Sequence, residues 1–403
     1  MITLINASAH DTGLQPGSVH CIVTSPPYWG LRAYAGEQGV AWPVATYAPM
    51  PGMPEITIPA MTCGLGEEPT PEAFIGHLIL VMREMWRVLR DDGTVWLNLG
   101  DSYAANRGYQ VPDGKHVDVG NNRGSSVPPG LKSKDLCLIP ARFALAAQAD
   151  GWWVRSDIIW TKPNPMPESV TDRPTKAHEY IWLMAKSQRY FYDAEAVREP
   201  LSEATQKRMN DMGRTYNGKG RGAYGKEGKA NGSMQAWTLN PAGRNRRSVW
   251  NIATRPYSGA HFATWPPDLV RSMILAGTSA RGVCPACGAP WVRVVEKEWV
   301  KYPNGVGNGT ETKDMRQHHR GKTSVFRTGG SNIATTTGWR ATCTCPAAEP
   351  IPATVLDPFN GSGTSGTVAL DLGRAYIGVD ISTEYVTELA EDRIGGTQIG
   401  MGL

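Results

Sequence analysis

Residues 355–366 read Val-Leu-Asp-Pro-Phe-Asn-Gly-Ser-Gly-Thr-Ser-Gly, a short apolar run that enters a glycine-rich turn. The residues that follow predict a helix to Leu372, a strand at Tyr376–Val379 and an acid, Asp380, at the tip of that strand. Strand, glycine turn, helix, strand and acid together make the half-site that nucleotide-binding α/β proteins place at the carboxyl edge of a parallel sheet. The segment therefore predicts an α/β fold with a nucleoside-type pocket.

The rest of the chain supplies further strands and helices for such a sheet. Alternation of strand and helix predicts a doubly wound, mostly parallel sheet. The predicted elements are strands at Ile2–Ile5 and Val19–Thr24, a helix from Pro71 that Asp92-Gly93 ends, a strand at Thr94–Leu99, a helix at Leu138–Ala149, a strand at Val154–Trp160, a strand pair formed by Tyr180–Ala185 and Tyr190–Tyr192, and a last helix near Thr383.

Composition limits the class of protein. The chain has 403 residues, 41% of them hydrophobic and 19% charged, which is typical of a globular protein. No apolar stretch approaches the roughly 20 residues of a membrane span, and no leader-like segment opens the chain. We therefore expect a cytoplasmic protein of a bacterium or a phage-infected cell. Seven cysteines, four of them in two tight pairs, favour metal ligands over disulfides.

Three segments, 102–134, 196–250 and 297–338, lack periodicity and are predicted to be loops or insertions. Residues 201–250 hold ten Lys or Arg against three Asp or Glu, and eight glycines. A phosphate-binding surface is one interpretation of this segment and a solvated flexible loop is the other. These segments divide the chain into five regions: 1–195, a basic insertion at 196–250, a segment at 251–280, a cysteine-bearing insertion at 281–350 and a last region at 351–403 that holds the glycine turn.

The glycine turn satisfies the G-x-G-x-x-G pattern at Gly361–Gly366, which taken alone suggests a dinucleotide enzyme. Asp357, however, precedes the glycines, where a carboxylate would repel a pyrophosphate but can hold an ammonium group. Asp380 is placed to accept hydrogen bonds from ribose hydroxyls. The pocket therefore suits S-adenosylmethionine. The alternative is that the glycines only turn the chain and Asp380 caps a helix.

A second chemical motif, Ser25-Pro26-Pro27-Tyr28, directly follows the strand at Val19–Thr24. Paired prolines fix the backbone, so the Ser25 hydroxyl and the Pro26 carbonyl can both accept hydrogens from one exocyclic amino group of a base. Such acceptance localises the lone pair of the nitrogen for attack on a sulfonium methyl. Tyr28 can stack on a base flipped out of a duplex. An ordinary proline turn is the alternative.

Together the two motifs resemble those of the amino-group DNA methyltransferases in the permuted order called the β class. Further segments resemble that family at Trp160–Pro165, Asp172-Arg173, His178-Glu179, Tyr190–Asp193 and Gly259–Pro266. The resemblance implies a circularly permuted methyltransferase fold, duplex DNA as substrate and recognition by the basic insertion. It also implies that 1–195 is the catalytic half, 251–280 the cofactor-capping segment and 351–403 the cofactor-binding half. One departure is Ala7-Ser8, which stands where the family usually has Gly-Asp.

Residue by residue, the resemblance implies two sets of site residues, and the charge of the basic insertion indicates a third. Ser25, Pro26, Pro27 and Tyr28 would form the catalytic turn. The cofactor would be bound by Asp357, Pro358, Phe359, Gly361, Ser362, Gly363, Thr364 and Asp380 and covered by His261, Phe262 and Thr264. Phosphate contacts would come from Arg214, Lys219, Arg221, Arg244, Arg246 and Arg247.

Two cysteine pairs, Cys284 with Cys287 and Cys343 with Cys345, are separated by 55 residues in the sequence. Together they offer the four thiolates of a tetrahedral zinc site, and unliganded thiols are the alternative. The insertion that carries these cysteines is expected to be structural or DNA-facing and its metal not catalytic, because amino-group methylation requires no metal.

Within the family, Ser25 favours cytosine-N4 over adenine-N6 as the target. Cytosine-C5 chemistry is disfavoured because it needs a cysteine nucleophile and the chain has no Pro-Cys pair. Three rivals stay open at this point: a nicotinamide-dependent oxidoreductase, a zinc-containing DNA-binding protein without catalysis, and a methyltransferase of RNA or protein. The sequence also leaves open a homodimer and a companion endonuclease.

Overall fold

The computed structural model describes residues 1–30, 39–104, 127–128, 130–202, 243–255, 265–301, 330–390 and 394. The chain divides into two compact units. The first comprises Met1–Asp193, Arg247–Val292 and Ala341–Leu403, and the second comprises Ala194–Arg246 and Arg293–Arg340. Among the helices of these described ranges, none has the length and apolar character to span a bilayer.

The described residues form fourteen strands, four α-helices, a 3₁₀ turn at Glu195–Val197 and a π-helical segment at Tyr385–Ala390. The strands are β1 (Ile2–Asn6), β2 (Val19–Thr24), β3 (Val40–Trp42), β4 (Ala45–Tyr47), β5 (Ile56–Ile58), β6 (Met61–Cys63), β7 (Leu89–Leu99), β8 (Trp153–Thr161), β9 (His178–Ala185), β10 (Val249–Asn251), β11 (Trp291–Lys301), β12 (Gly330–Ala341), β13 (Thr354–Asp357) and β14 (Ala375–Asp380). The helices are α1 (Pro71–Val88), α2 (Ile139–Ala149), α3 (Pro267–Gly277) and α4 (Thr364–Asp371).

Eight strands of the first unit form one sheet in the order β1-β14-β13-β2-β7-β9-β8-β10. Neighbouring strands are parallel except that β9 runs antiparallel to both β7 and β8. From the central pair β13 and β2, the sheet extends through β14 on one side and β7 on the other. That arrangement creates a topological switch point at the carboxyl ends of β13 and β2, where open α/β sheets bind ligands. The predicted fold class is confirmed.

Helix α1 shows how the sequence builds a layer of this fold. The side chain of Thr70 caps the helix by accepting the N–H of Ala73 at 3.2 Å, and Pro71 occupies the first turn. Phe74, Leu78 and Met85 recur at helical spacing and are fully buried. The hydrophobic face of the helix therefore packs into the core.

The predicted end of this helix at Asp92-Gly93 was wrong. The helix ends at Val88, because Leu89 is buried and already pairs with Val19 in the sheet. The pairing then shifts register between Val19 and Cys21, and Gly93 packs against the carbonyl oxygen of His20. A side chain at Gly93 would meet that oxygen at 2.8 Å. The glycine therefore serves the bulge in β7 and not the helix terminus.

Two other sequence interpretations need correction. Tyr190–Tyr192 is not a strand, because β9 lies between β7 and β8 and has no free edge for a further partner. The segment 297–338 is not wholly irregular, because β11 and β12 extend into it and form a two-stranded sheet. Two small antiparallel pairs, β3 with β6 and β4 with β5, had no signal in the sequence because each strand has only three residues.

Candidate functional site

The switch point brings together the two motifs that lie at opposite ends of the sequence. β13 and β2 are parallel neighbours, with Val355 opposite Cys21 and Leu356 opposite Ile22. The hydroxyl of Thr24, the last residue of β2, donates a 2.7 Å hydrogen bond to Oδ1 of Asp357, the last residue of β13. The glycine turn and the Ser-Pro-Pro-Tyr turn therefore begin side by side.

Asp357 is the residue that joins the two turns. Its side chain is buried, and besides Thr24 it accepts hydrogen bonds from Ser365 Oγ at 2.6 Å and from the Phe359 N–H at 3.1 Å. Burial raises the pKa of Asp357 to about 6. The carboxylate thus holds both turns and the start of α4 in place. Its contact with a ligand ammonium group stays a prediction.

The glycine turn has the backbone that only glycine adopts without strain. Gly361 and Gly363 have φ angles of 48° and 76°, and Gly363 caps α4. Asp380 accepts the N–H of Gly361 on Oδ2 at 2.8 Å and the N–H of Ser382 on Oδ1 at 2.9 Å. Burial raises the pKa of Asp380. Each of its oxygens retains a lone pair, so the carboxylate shapes the turn and can still accept from a ligand hydroxyl.

The other predicted cofactor residues lie in the same turn. Phe359 and Ser362 are half-buried, whereas Pro358 and Thr364 are buried. Sequence reasoning missed the role of Asn360, whose Oδ1 accepts the hydroxyl of Tyr376 at 2.6 Å. A side chain at Gly378 would meet that oxygen at 2.5 Å. Asn360 therefore anchors the glycine turn to β14. The only sequence signal for this role was the position of Asn360 inside the glycine-turn motif.

The catalytic turn is held by a polar network that the sequence did not predict as a unit. The hydroxyl of Tyr28 donates to Glu179 Oε2 at 2.7 Å and accepts from Asn98 Nδ2 at 2.6 Å. Asn98 also donates to Glu179 at 2.8 Å, and Lys162 forms an ion pair with the other carboxylate oxygen. Ser25 Oγ lies 3.3 Å from the Tyr28 hydroxyl. Both ends of the catalytic motif therefore share one network.

Topology explains why these residues meet. Asn98 lies near the carboxyl end of β7, and Lys162 directly follows β8. Glu179 lies near the start of β9, and because β9 is antiparallel, its start lies at the same edge of the sheet. The segments of Lys162 and Glu179 belonged to the family resemblance. Asn98 was missed, and its only signal was a polar residue near the end of an apolar strand.

Two glycines make room for Tyr28. A Cβ at Gly100 would lie 2.6 Å from Cδ2 and Cε2 of the Tyr28 ring. A Cβ at Gly66, whose φ is +92°, would lie 2.8 Å from the Tyr28 carbonyl oxygen. In the same turn Pro26 is buried, and Ser25 and Pro27 are half-buried. Backbone and ring of Tyr28 are thus both held by close contacts.

Ala7-Ser8 stands where the family usually has Gly-Asp. The N–H of Ala7 donates to the carbonyl oxygen of Asp380 at 3.1 Å. The hydroxyl of Ser8 lies 2.6 Å from Nδ1 of His10. The backbone at this position therefore supports the Asp380 strand end, and the Ser8 side chain bonds to a neighbour in sequence.

Several predicted site residues lie outside the described residues: His261, Phe262, Thr264, Arg214, Lys219 and Arg221. Of the remaining basic residues, Arg244 pairs with Glu199 at 2.9 Å, and Arg246 is half-buried. Arg247 is exposed, and its carbonyl oxygen accepts the indole N–H of Trp250 at 2.7 Å. Contacts of these residues with DNA stay predictions.

The four paired cysteines come together in the first unit. Their Sγ atoms, one each from Cys284, Cys287, Cys343 and Cys345, all lie within 4.8 Å of one another. Cys284 is buried, Cys287 is exposed, and the other two are half-buried. The two pairs, separated by 55 residues in sequence, are therefore one cluster.

Comparison with known proteins places this geometry in context. The model of a DNA methylase family matches residues 19–284 and 348–392. The chain is 36% identical to the Type II methyltransferase M.XycI of Xanthomonas campestris pv. cyanopsidis over 384 residues, 95% of this chain and 83% of the relative. It is 34% identical to M.Cfr9I of Citrobacter freundii over the same shares. A solved structure of the PvuII DNA methyltransferase (cytosine-N4-specific) is 12% identical, with a TM-score of 0.48, and covers 98% of this chain and 90% of that chain.

Proposed function

The chain belongs to the DNA methylase family that modifies exocyclic amino groups, and from that premise we propose that it methylates the N4 amino group of cytosine in duplex DNA with S-adenosylmethionine as donor. The observation that carries the proposal is the hydrogen bond between Thr24 and Asp357, which joins the Ser25–Tyr28 turn to the glycine turn. Family membership removes the alternative of a nicotinamide-dependent oxidoreductase, which was based on the G-x-G-x-x-G pattern of the glycine turn.

The glycine turn fits the donor on two grounds. Gly361 has a positive φ, which only glycine adopts without strain, and it lies with the half-buried Ser362 at the switch point where open α/β sheets bind ligands. Asp380 retains acceptor capacity for ribose hydroxyls. S-adenosylmethionine, when bound, supplies an electrophilic sulfonium methyl group. Asp380, Gly361 and Ser362 would hold it.

The catalytic turn prepares the attacking nitrogen. An exocyclic amino group is a poor nucleophile because its lone pair is delocalised into the base. Ser25 Oγ accepts a hydrogen bond from one N–H of this amino group, and the Pro26 carbonyl oxygen accepts a hydrogen bond from the other. These two hydrogen bonds favour a tetrahedral nitrogen. Tyr28 stacks on the flipped base, and its ring is held by Glu179, Asn98 and Gly100.

Cytosine is favoured over adenine by the residue at the first motif position. Ser25 is a neutral hydroxyl, which in this family resembles the cytosine-N4 enzymes, whereas adenine-N6 enzymes mostly have Asp or Asn there. Its oxygen lies 3.3 Å from the Tyr28 hydroxyl, so acceptor and stacking residue are neighbours.

The basic segment at 201–250, which belongs to the second unit up to Arg246, is proposed to recognise the DNA. Residues 201–250 carry an excess of seven positive charges, which suits a run of phosphates. Arg244, Arg246 and Arg247 are the described members of this set. Neutralisation of phosphates releases counterions, so binding should weaken steeply with salt.

The test is to incubate the protein with tritium-labelled S-adenosylmethionine and mixed genomic DNA, digest to nucleosides and identify the labelled species. We expect N4-methylcytosine. Ser25→Ala is the matched variant: turnover should fall to background while cofactor affinity stays within about twofold, because the removed acceptor acts mainly in the transition state.

N6-methyladenine would retain the mechanism and overturn the choice of base. Parallel incubations replace the DNA with RNA or with protein. Label in either of these but not in DNA would overturn the substrate class. Wild-type turnover in Ser25→Ala would remove the catalytic assignment of Ser25.

A further inference from the structure

Four cysteines converge at the edge of the central sheet opposite to the catalytic turn. Their position follows from His20 and Arg90, which lie at the amino ends of β2 and β7 and contact the turn that carries Cys284 and Cys287. His20 lies five residues before Ser25, about 16 Å along an extended strand. The cluster is therefore separate from the site that binds base and cofactor.

The turn is fixed to the sheet through its backbone. Arg90 donates from Nη1 to the carbonyl oxygen of Cys287 at 2.6 Å, and His20 Nε2 lies 3.1 Å from the carbonyl oxygen of Gly288. His20 Nδ1 accepts the N–H of Thr354 at 3.0 Å, so Nε2 carries the proton and donates. These contacts use carbonyl groups and leave the thiols free for one another.

Backbone hydrogen bonds also close the turn that carries the first pair. The N–H of Gly288 donates to the carbonyl oxygen of Cys284 at 2.8 Å, and the N–H of Cys284 donates to the carbonyl oxygen of Ala289 at 2.8 Å. All four Sγ atoms lie within 4.8 Å of one another.

We propose that Cys284, Cys287, Cys343 and Cys345 bind one structural zinc ion. Zinc–thiolate bonds of about 2.3 Å in a tetrahedron put sulfur atoms about 3.8 Å apart, so the cluster needs to contract by about 1 Å at most. Four protein ligands leave no open coordination position, which makes the ion structural.

The zinc ion would cross-link the two ends of a long segment of the chain. Between the two pairs the chain runs through β11 and β12, a span of 55 residues. A cross-link at the ends of so long a loop removes conformational entropy from the unfolded chain. The hydroxyl of Thr342, next to Cys343, donates to the carbonyl oxygen of Pro290 at 2.7 Å. The two chain segments that carry the cysteine pairs therefore already lie side by side.

The first experiment is metal analysis of the full-length protein after purification under reducing conditions and dialysis. We expect one zinc per chain. Cys287→Ser should lose it, and because Cys287 is exposed, the substitution should leave the fold intact by circular dichroism. Cys63→Ser is the matched control, since Cys63 is half-buried and lies outside the cluster.

The control also tests a competing site. Cys63, Glu68 and His77 form a second group with ligand atoms in reach of one another, but it offers three ligands and Glu68 already binds His77 at 2.8 Å. Zinc that survives Cys287→Ser and disappears in Cys63→Ser would overturn the proposal. Iron in place of zinc, or no metal at all, would overturn it as well.

A second measurement does not depend on a variant. Wild-type protein loaded with Co²⁺ should show the thiolate-to-cobalt charge transfer and intense visible bands of a tetrahedral tetrathiolate site. Absence of these bands, or two disulfides by thiol titration of the reduced and refolded protein, would contradict the assignment. Both readouts are independent of methylation, so failure of either proposal is distinguishable from failure of the other.

Discussion

The substitution Gly100→Ala tests whether the position of Tyr28 controls the chemistry. Gly100 does not have a positive φ, so alanine is compatible with its backbone and only the added methyl group matters. That methyl group would lie 2.6 Å from Cδ2 and Cε2 of the Tyr28 ring. Ordinary contact begins at 3.4 Å, so ring or backbone must move by about 0.8 Å.

The expected magnitude follows from that displacement. A misplacement of about 1 Å in a reacting constellation can lower the rate about 100-fold. The movement also lengthens the 2.7 Å bond from the Tyr28 hydroxyl to Glu179. Overpacking of this kind typically costs about 1–3 kcal/mol of stability. Cofactor affinity should stay unchanged, because the glycine turn is held by the side chains of Asp357 and Asp380, which the substitution leaves in place.

The assay compares kcat/KM for duplex DNA, the Kd for S-adenosylmethionine by calorimetry, and the Tm, in Gly100→Ala and in Gly338→Ala. Gly338 is the control because nothing lies within 4 Å of an added Cβ there. A Gly100→Ala enzyme with wild-type kcat/KM would refute the reasoning. Equal losses of cofactor affinity and turnover would indicate a disturbed fold and not a displaced ring.

Three further predictions concern single groups of the site. Tyr28→Phe should lower kcat/KM about 10- to 100-fold with little change in cofactor Kd, since a hydrogen bond to a carboxylate contributes about 1.5–3 kcal/mol; steady-state kinetics checks this. Asp380→Ala should raise the Kd for S-adenosylmethionine about 10- to 100-fold, and an unchanged calorimetric Kd would remove its ribose assignment. Burial raises the pKa of Asp357 from 3.8 to about 6, so the folded protein binds the extra proton. About 3 kcal/mol of stability should be present below pH 4 and be lost as pH rises through 6; Asp357→Asn should flatten that profile in denaturant titrations.

The periodic parts of the chain could be predicted from the sequence because their signals are local. The bounds of β2 were predicted residue for residue, and those of β13 and β14 to within about two residues, since buried parallel strands are short apolar runs. Where tertiary pairing overrode local signals, prediction failed. Leu89 joined the sheet and not the helix, and Tyr190–Tyr192 found no free strand edge.

The sequence by itself determined the chemistry that the site can offer: two motifs with their acceptors and glycines, and four cysteines in two pairs. Only the tertiary structure decided which groups face one another. Thr24 meets Asp357 across 333 positions of the chain, and Glu179 reaches Tyr28 because β9 runs antiparallel. Local patterns carry no information about such neighbours, because strand order and direction depend on how the whole sheet buries its apolar faces.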